Sequence, residues 1–107
     1  MAKPKSTSSH VKKWRIRDEM IYDGIMELVQ INTEKAVRPE DIAMHIYKDD
    51  WQSLLKRIRM FARKLAHEGY IEIIRKNAVA DPDDFRGVYR VRASATASDY
   101  VTRMPEK

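Results

Sequence analysis

Between Trp51 and His67 the chain carries Lys56, Arg57, Arg59, Arg63 and Lys64, with no acidic residue among them. Lysine and arginine at such density suit phosphate oxygens, and arginine can fork onto the N7 and O6 of guanine. Gln52, just ahead of them, has the amide that pairs with adenine. If the stretch is helical, at about 100° per residue, Gln52, Lys56, Met60, Arg63 and His67 share the side opposite the apolar residues. Arg59 falls on one flank of that side, and Arg57 and Lys64 on the other. This pattern predicts a surface that reads nucleic acid. The competing reading is a solvated face whose long basic side chains cover apolar surface with their stems. Exposed helices commonly alternate charge sign for i,i+4 support. An acid-free run of five therefore favours the polyanion.

Other basic residues extend the candidate surface. Lys12 and Lys13 belong to a basic N-terminal stretch, and Arg75 and Lys76 close a run of isoleucines. Net charge is +5, but the first 17 residues hold six basic residues and no acid, so the remaining 90 sum to −1. The charge is clustered rather than in excess, and an overall basic balance alone would overstate the argument for DNA. Asp49 and Asp50, and the acids Asp81, Asp83 and Asp84, argue against a phosphate partner. The last three are expected to cap their loop or to pair with Arg86 and Arg90.

Catalytic and metal chemistry finds little support. The chain has no cysteine, which excludes disulfides and thiolate metal sites. His10, His45 and His67 are scattered, without the spacing of metal ligands. "DPDD" does not match a calcium loop. No glycine-rich phosphate loop or nucleophile elbow is present, and Ser94 and Ser98 have no evident base. We therefore expect no enzyme and no cofactor. No apolar run reaches the length of a membrane helix, so the expected location is the cytoplasm.

The elements that must position the basic face can be read in turn. "MAKPKSTSSHVKK" lacks apolar periodicity and is expected to be a flexible basic arm over residues 1–13, with packing beginning at Trp14 or Ile16. Ile21, Ile25 and Leu28 predict an amphipathic helix over Asp18–Gln30, and Ala36–Val37 a short extended piece. Pro39, Glu40 and Asp41 open a second helix in which Ile42 and Ile46 face the core. Asp49 with Gln52 resembles a capping box and predicts a third helix over residues 51–68. Its apolar face is Trp51, Leu54, Leu55, Ile58, Phe61, Ala62 and Leu65, and Gly69 ends it. "YIEIIR" and "VYRVR" then predict an antiparallel pair joined by a loop too long for a tight turn. In the second strand Tyr89 and Val91 should point inward and Arg90 and Arg92 outward. Residues 93–107 lose the pattern and are expected to form a mobile tail, with Tyr100, Val101 and Met104 hinting at one more helical turn.

Three helices followed by a long-looped hairpin is the element order of a winged helix, an α+β fold whose third helix enters the DNA major groove. From about Ile21 to Arg92 the chain also resembles a small bacterial winged-helix family catalogued only as a domain of unknown function. Trp51, Leu54, Ile58-Arg59, Ala62, Leu65 and Gly69-Tyr70-Ile71 carry the resemblance around the third helix. Asp81-Pro82, Arg86-Gly87 and Arg90 carry it in the wing. Asn77 stands where that family has glycine, and Val88 where it has proline. Asparagine tolerates the left-handed conformation, so the turn should survive. The resemblance implies a winged-helix domain over residues 14–92 and supplies no activity. The expectation is a small bacterial transcriptional regulator binding double-stranded DNA. The third helix would read bases, while Lys12, Lys13, Arg75 and Lys76 hold phosphates. The alternative is a protein-interaction module of the same fold. Neither reading assigns an oligomeric state.

Overall fold

In the computed structural model the described residues are 16–103. They form an α+β unit of three helices and a three-stranded antiparallel sheet. Helix α1 spans Asp18–Ile31 and carries Asp18 and Glu19 in its first turn, where carboxylates oppose the positive end of the helix dipole. Helix α2 spans Pro39–Ile46, with proline in the first turn as expected. The two helices approach closely at Gly24: a Cβ there would lie 2.5 Å from Ile46 Cγ1.

The third helix starts later than the sequence predicts. Lys48–Leu54 is a 3₁₀ segment kinked at Asp50 (φ −145°, ψ 56°), and α3 spans Leu55–His67. The Asp49–Gln52 pattern therefore marks a 3₁₀ turn, and the residue that caps α3 is Leu54, which supplies no side-chain cap. The chain leaves α2 in extended backbone at Tyr47 (φ −153°) and, past the kink, enters α3 five residues after Asp50. Within α3 the helical phase holds: Ile58, Phe61, Ala62 and Leu65 are buried. Gly69, at φ +91°, ends the helix. Tyr70 N–H donates to Leu65 O (3.0 Å) and Gly69 N–H to Ala66 O (3.1 Å), the two bonds of a Schellman cap, whose left-handed residue glycine adopts without strain.

Strand β1 spans Ile71–Arg75, β2 spans Ala78–Val79 and β3 spans Arg90–Ala93, in the spatial order β2-β1-β3. The expected antiparallel pairing of the two main strands is present, with Ile73 opposite Val91. The loop between them, expected to contain no tight turn, does contain one. Arg75 pairs with Ala78 across Lys76 and Asn77, both at positive φ (51° and 66°), as in the primed two-residue turns that match strand twist. Asn77 thus serves the left-handed position in place of glycine. Val37 adds a bridge to Val91 on the free side of β3, exchanging backbone hydrogen bonds of 2.7 and 2.9 Å.

The core fills the space between helices and sheet. Ile21, Ile25, Val29, Ile42, Leu54, Ile58, Leu65, Ile73 and Val91 are fully buried. Tyr89 and Val91 are buried while Arg90 and Arg92 are exposed, in line with the predicted alternation. The segment after β3, expected to be a mobile tail with at most one helical turn, docks on α1. Ala97 is buried in a 3₁₀ turn over Ala97–Asp99, Gln30 Nε2 donates to Ala97 O (2.8 Å) and Tyr100 Oη donates to Asp23 Oδ1 (2.7 Å). Arg103 stacks its guanidinium 3.9 Å from the Tyr22 ring centroid. Its small and polar residues carry no periodic signal, because the docking uses two rings and a few hydrogen bonds rather than an apolar stripe. Met104 lies outside the described residues.

Candidate nucleic-acid interface

The outward side of α3 and the 3₁₀ segment before it carry the predicted polar face. Gln52, Lys56, Met60, Arg63 and His67 are all exposed, the last four because each lies opposite the buried Ile58–Leu65 row of α3. Lys56 makes no hydrogen bond or ion pair with any described residue, and Met60 is 49% exposed beside it.

The other cations of α3 are engaged within the chain. Arg63 donates through Nε (3.1 Å) and Nη2 (2.9 Å) to Asp83 Oδ1, and His67 Nε2 lies 2.9 Å from the same oxygen. The two donors sit one helical turn apart, so both reach a single carboxylate in the β2–β3 connection. His67, followed by Arg63, holds the Asp83 carboxyl below the usual carboxylate range. Asp83 is in turn oriented by its own N–H, which donates to Asp81 Oδ1 (2.9 Å). Of the two expectations for these acids, capping of the loop is met by Asp81, which accepts from Asp83 N–H, whereas pairing of Asp83 with Arg86 or Arg90 is not. Asp83 pairs instead with α3, across 16 and 20 residues of chain, a separation at which no periodicity could reveal it.

Arg59 is tied still more firmly. Its guanidinium lies 4.7 Å from the Phe85 ring centroid and 5.0 Å from that of Tyr89, and it donates to the carbonyls of Phe85 and Gly87. Half-buried and stacked, it anchors the β2–β3 connection to α3. Arg57 donates to Ile16 O (2.7 Å) and to Asp18 Oδ1 (3.0 Å), and so fastens the start of α1 to α3. Lys64 Nζ stands 5.7 Å from the Phe61 ring centroid.

Of the remaining predicted residues, Arg75 donates through Nε to Val88 O (3.1 Å). Lys76 is exposed in the β1–β2 turn and has no partner among the described residues. Lys12 and Lys13 lie outside the described residues. The structure therefore brings Gln52, Lys56 and Met60 together with an Arg63–Asp83–His67 cluster, and turns Arg59 and Arg75 toward the β2–β3 connection.

One feature beside this face carried no signal in the sequence. A groove of about 450 Å³ is lined by Arg38, Pro39 and Glu40 of the α2 start, Leu55 and Arg59 of α3, and Gly87 to Arg90. Tyr89 is 95% buried, and its hydroxyl meets no hydrogen-bond partner among the described residues. Burial pushes its pKa up to about 12. Leaving such a group unpaired costs about 1–3 kcal/mol. Among the described residues no group of three histidine or acidic side chains is placed to hold a metal ion, and no helix is long and apolar enough to cross a membrane.

A protein-family model described as "Protein of unknown function (DUF3253)" matches residues 18–94. No curated protein matches the chain.

Proposed function

The chain belongs to that family of unknown function, and from its geometry we propose that it is a winged-helix DNA-binding module. The observation that carries this reading is the unpaired, outward Gln52–Lys56–Met60 face next to Arg63 and His67. The order α1, Val37 bridge, α2, α3, β1, β3 supports the fold assignment, with the β2–β3 connection as the wing. α3 enters the major groove, where Gln52 and Lys56 reach base edges and phosphates. Lys76 in the turn and Lys12 and Lys13 in the arm add phosphate contacts. A small transcriptional regulator is the role this arrangement suits.

A second reading keeps the fold and replaces DNA with a protein partner. It is favoured by the internal engagement of Arg57, Arg59 and Arg63, which leaves α3 less charged outward than its sequence suggests. Salt dependence separates the two. Phosphate neutralisation releases counterions, so duplex affinity should fall with a log–log slope near −0.9 per contact. Lys56→Ala should flatten that slope by about one unit and spare the fold, since Lys56 is exposed. A duplex whose binding is indifferent to Lys56→Ala, or no binding in low salt at all, would transfer the face to a protein partner.

A further inference from the structure

We propose that the groove between the start of α2, the start of α3 and residues Gly87–Arg90 is a binding site for a small organic acid with a flat apolar body. The inference goes beyond the DNA reading and does not depend on it. Three observations meet there. The first is charge: Arg38, Arg59 and Arg90 line the groove against a single carboxylate, Glu40. Arg38 is committed to Asp41 through two hydrogen bonds (2.9 and 3.2 Å), and Arg59 to the Phe85 and Gly87 carbonyls. Arg90 is exposed and makes no hydrogen bond with any described residue. Its charge also acts on the Asp41 carboxyl, but Asp41 is hydrogen-bonded to Arg38, so Arg90 is the groove cation whose own donors are left for an anion.

The second observation is the Tyr89 hydroxyl, sealed from solvent without a hydrogen-bond partner. Tyr89 lines the groove together with Arg59 and Glu40, which stand on two different elements, and burial above all raises its pKa. A carboxylate oxygen would give its O–H an acceptor once binding parts the side chains that seal it. The third is the apolar lining. Pro39, Leu55 and Val88 present hydrocarbon to the groove, and Val88 is 82% exposed at its mouth. Pockets that hold small ligands share this composition, mostly apolar walls with a few convergent polar groups. A free inorganic anion would leave those walls uncovered, whereas a fused-ring carboxylate covers them and places its charge at Arg90 and Tyr89.

The test is an amide chemical-shift titration of the full-length chain with benzoate and 2-naphthoate, using benzamide and inorganic phosphate as controls. Saturable shifts at Glu40, Leu55 and Gly87–Arg90 with the carboxylates, and weaker ones with benzamide and phosphate, are expected. Arg90→Gln and Tyr89→Phe should each weaken binding about tenfold, the loss of one hydrogen bond to a charged group. Arg90 is exposed, so its variant keeps the fold even if Tyr89→Phe does not. Carboxylate shifts that fail to saturate, fall elsewhere, or survive Arg90→Gln unchanged would overturn the assignment. Equal response to phosphate would show an anion site without the apolar component and overturn it as well. A chain that binds the acids but no duplex would leave this site standing and remove the DNA reading alone.

Discussion

A carboxylate held by two basic side chains is a stand-in for a phosphate, and Asp83 occupies that position against Arg63 and His67. All three groups are about half exposed, where single ion pairs contribute little to stability. On the proposed DNA-binding reading, the consequence of the contact lies in binding. Asp83→Asn should release Arg63 and His67 to solvent and tighten duplex binding severalfold, with a salt slope steeper by about one to two units; weaker binding in filter or polarisation assays would show that Asp83 orders the face rather than occupying it. The variant also bears on pH. The Asp83 carboxyl is depressed in the folded chain, first by the hydrogen bond from His67 and then by that from Arg63. A depressed carboxyl contributes stability above its unfolded pKa, and that contribution is lost as pH falls through the folded value. Asp83→Asn should accordingly reduce the acid-side loss of stability in denaturant melts below about pH 4. Melts that superimpose across that range would remove the linkage.

At the scale of elements, the contact between α1 and α2 is set by a missing side chain. In an exposed helix, replacing glycine by alanine gains about 1 kcal/mol of helix propensity. Gly24 is buried, and an added Cβ would lie 2.5 Å from Ile46 Cγ1 and 2.8 Å from Cδ1. Overpacking of that kind costs about 1–3 kcal/mol, and the nearer atom is not the free tip of the side chain. The clash should win, so Gly24→Ala is expected to destabilise the chain by about 1–2 kcal/mol. A gain of stability in urea melts would mean that α2 shifts freely. Such freedom would matter for function, because α2 carries one wall of the groove and leads into the kinked segment before α3. The placement of α3 itself rests on neighbours far away in sequence: Arg57 on Ile16 and Arg59 on the β2–β3 connection.

For the whole molecule, the segment beyond β3 closes the fold onto α1. Tyr100 Oη donates to Asp23, and Arg103 donates to Glu68 Oε1 (3.1 Å) while stacking on Tyr22. Burial, then the Asp23 hydrogen bond, raises the Tyr100 pKa. A raised pKa contributes stability below the unfolded value, near 10, and loses it as pH climbs through the folded one. Truncation after Thr96 should cost about 1–3 kcal/mol through lost apolar burial at Ala97 and Tyr100, and should remove that alkaline-side dependence. A truncated chain as stable as the parent would make the docking incidental. Much of this architecture was legible in the sequence. The phase of α3 follows from the 3.6-residue spacing of Ile58, Ala62 and Leu65, the end of α3 from Gly69, and the inward Tyr89 and Val91 from the two-residue period of a strand. These are local signals, and each residue reports its own surroundings. The kink at Asp50 was not legible, because the Asp49–Gln52 spacing serves a 3₁₀ turn as well as a capping box. Nor was the tight β1–β2 turn, hidden inside a loop judged by its total length. The candidate site divides in the same way. That Lys56, Met60, Arg63 and His67 share one side of α3 is a property of periodicity alone, while Gln52 joins them from the 3₁₀ segment before it. That Asp83 reaches Arg63 and His67, that Arg59 turns to the Phe85 carbonyl, and that Tyr89 meets Arg38, Glu40 and Leu55 around one groove depended on tertiary packing. Contacts between residues 16 to 51 apart leave no periodic trace, because only the folded chain brings them within reach.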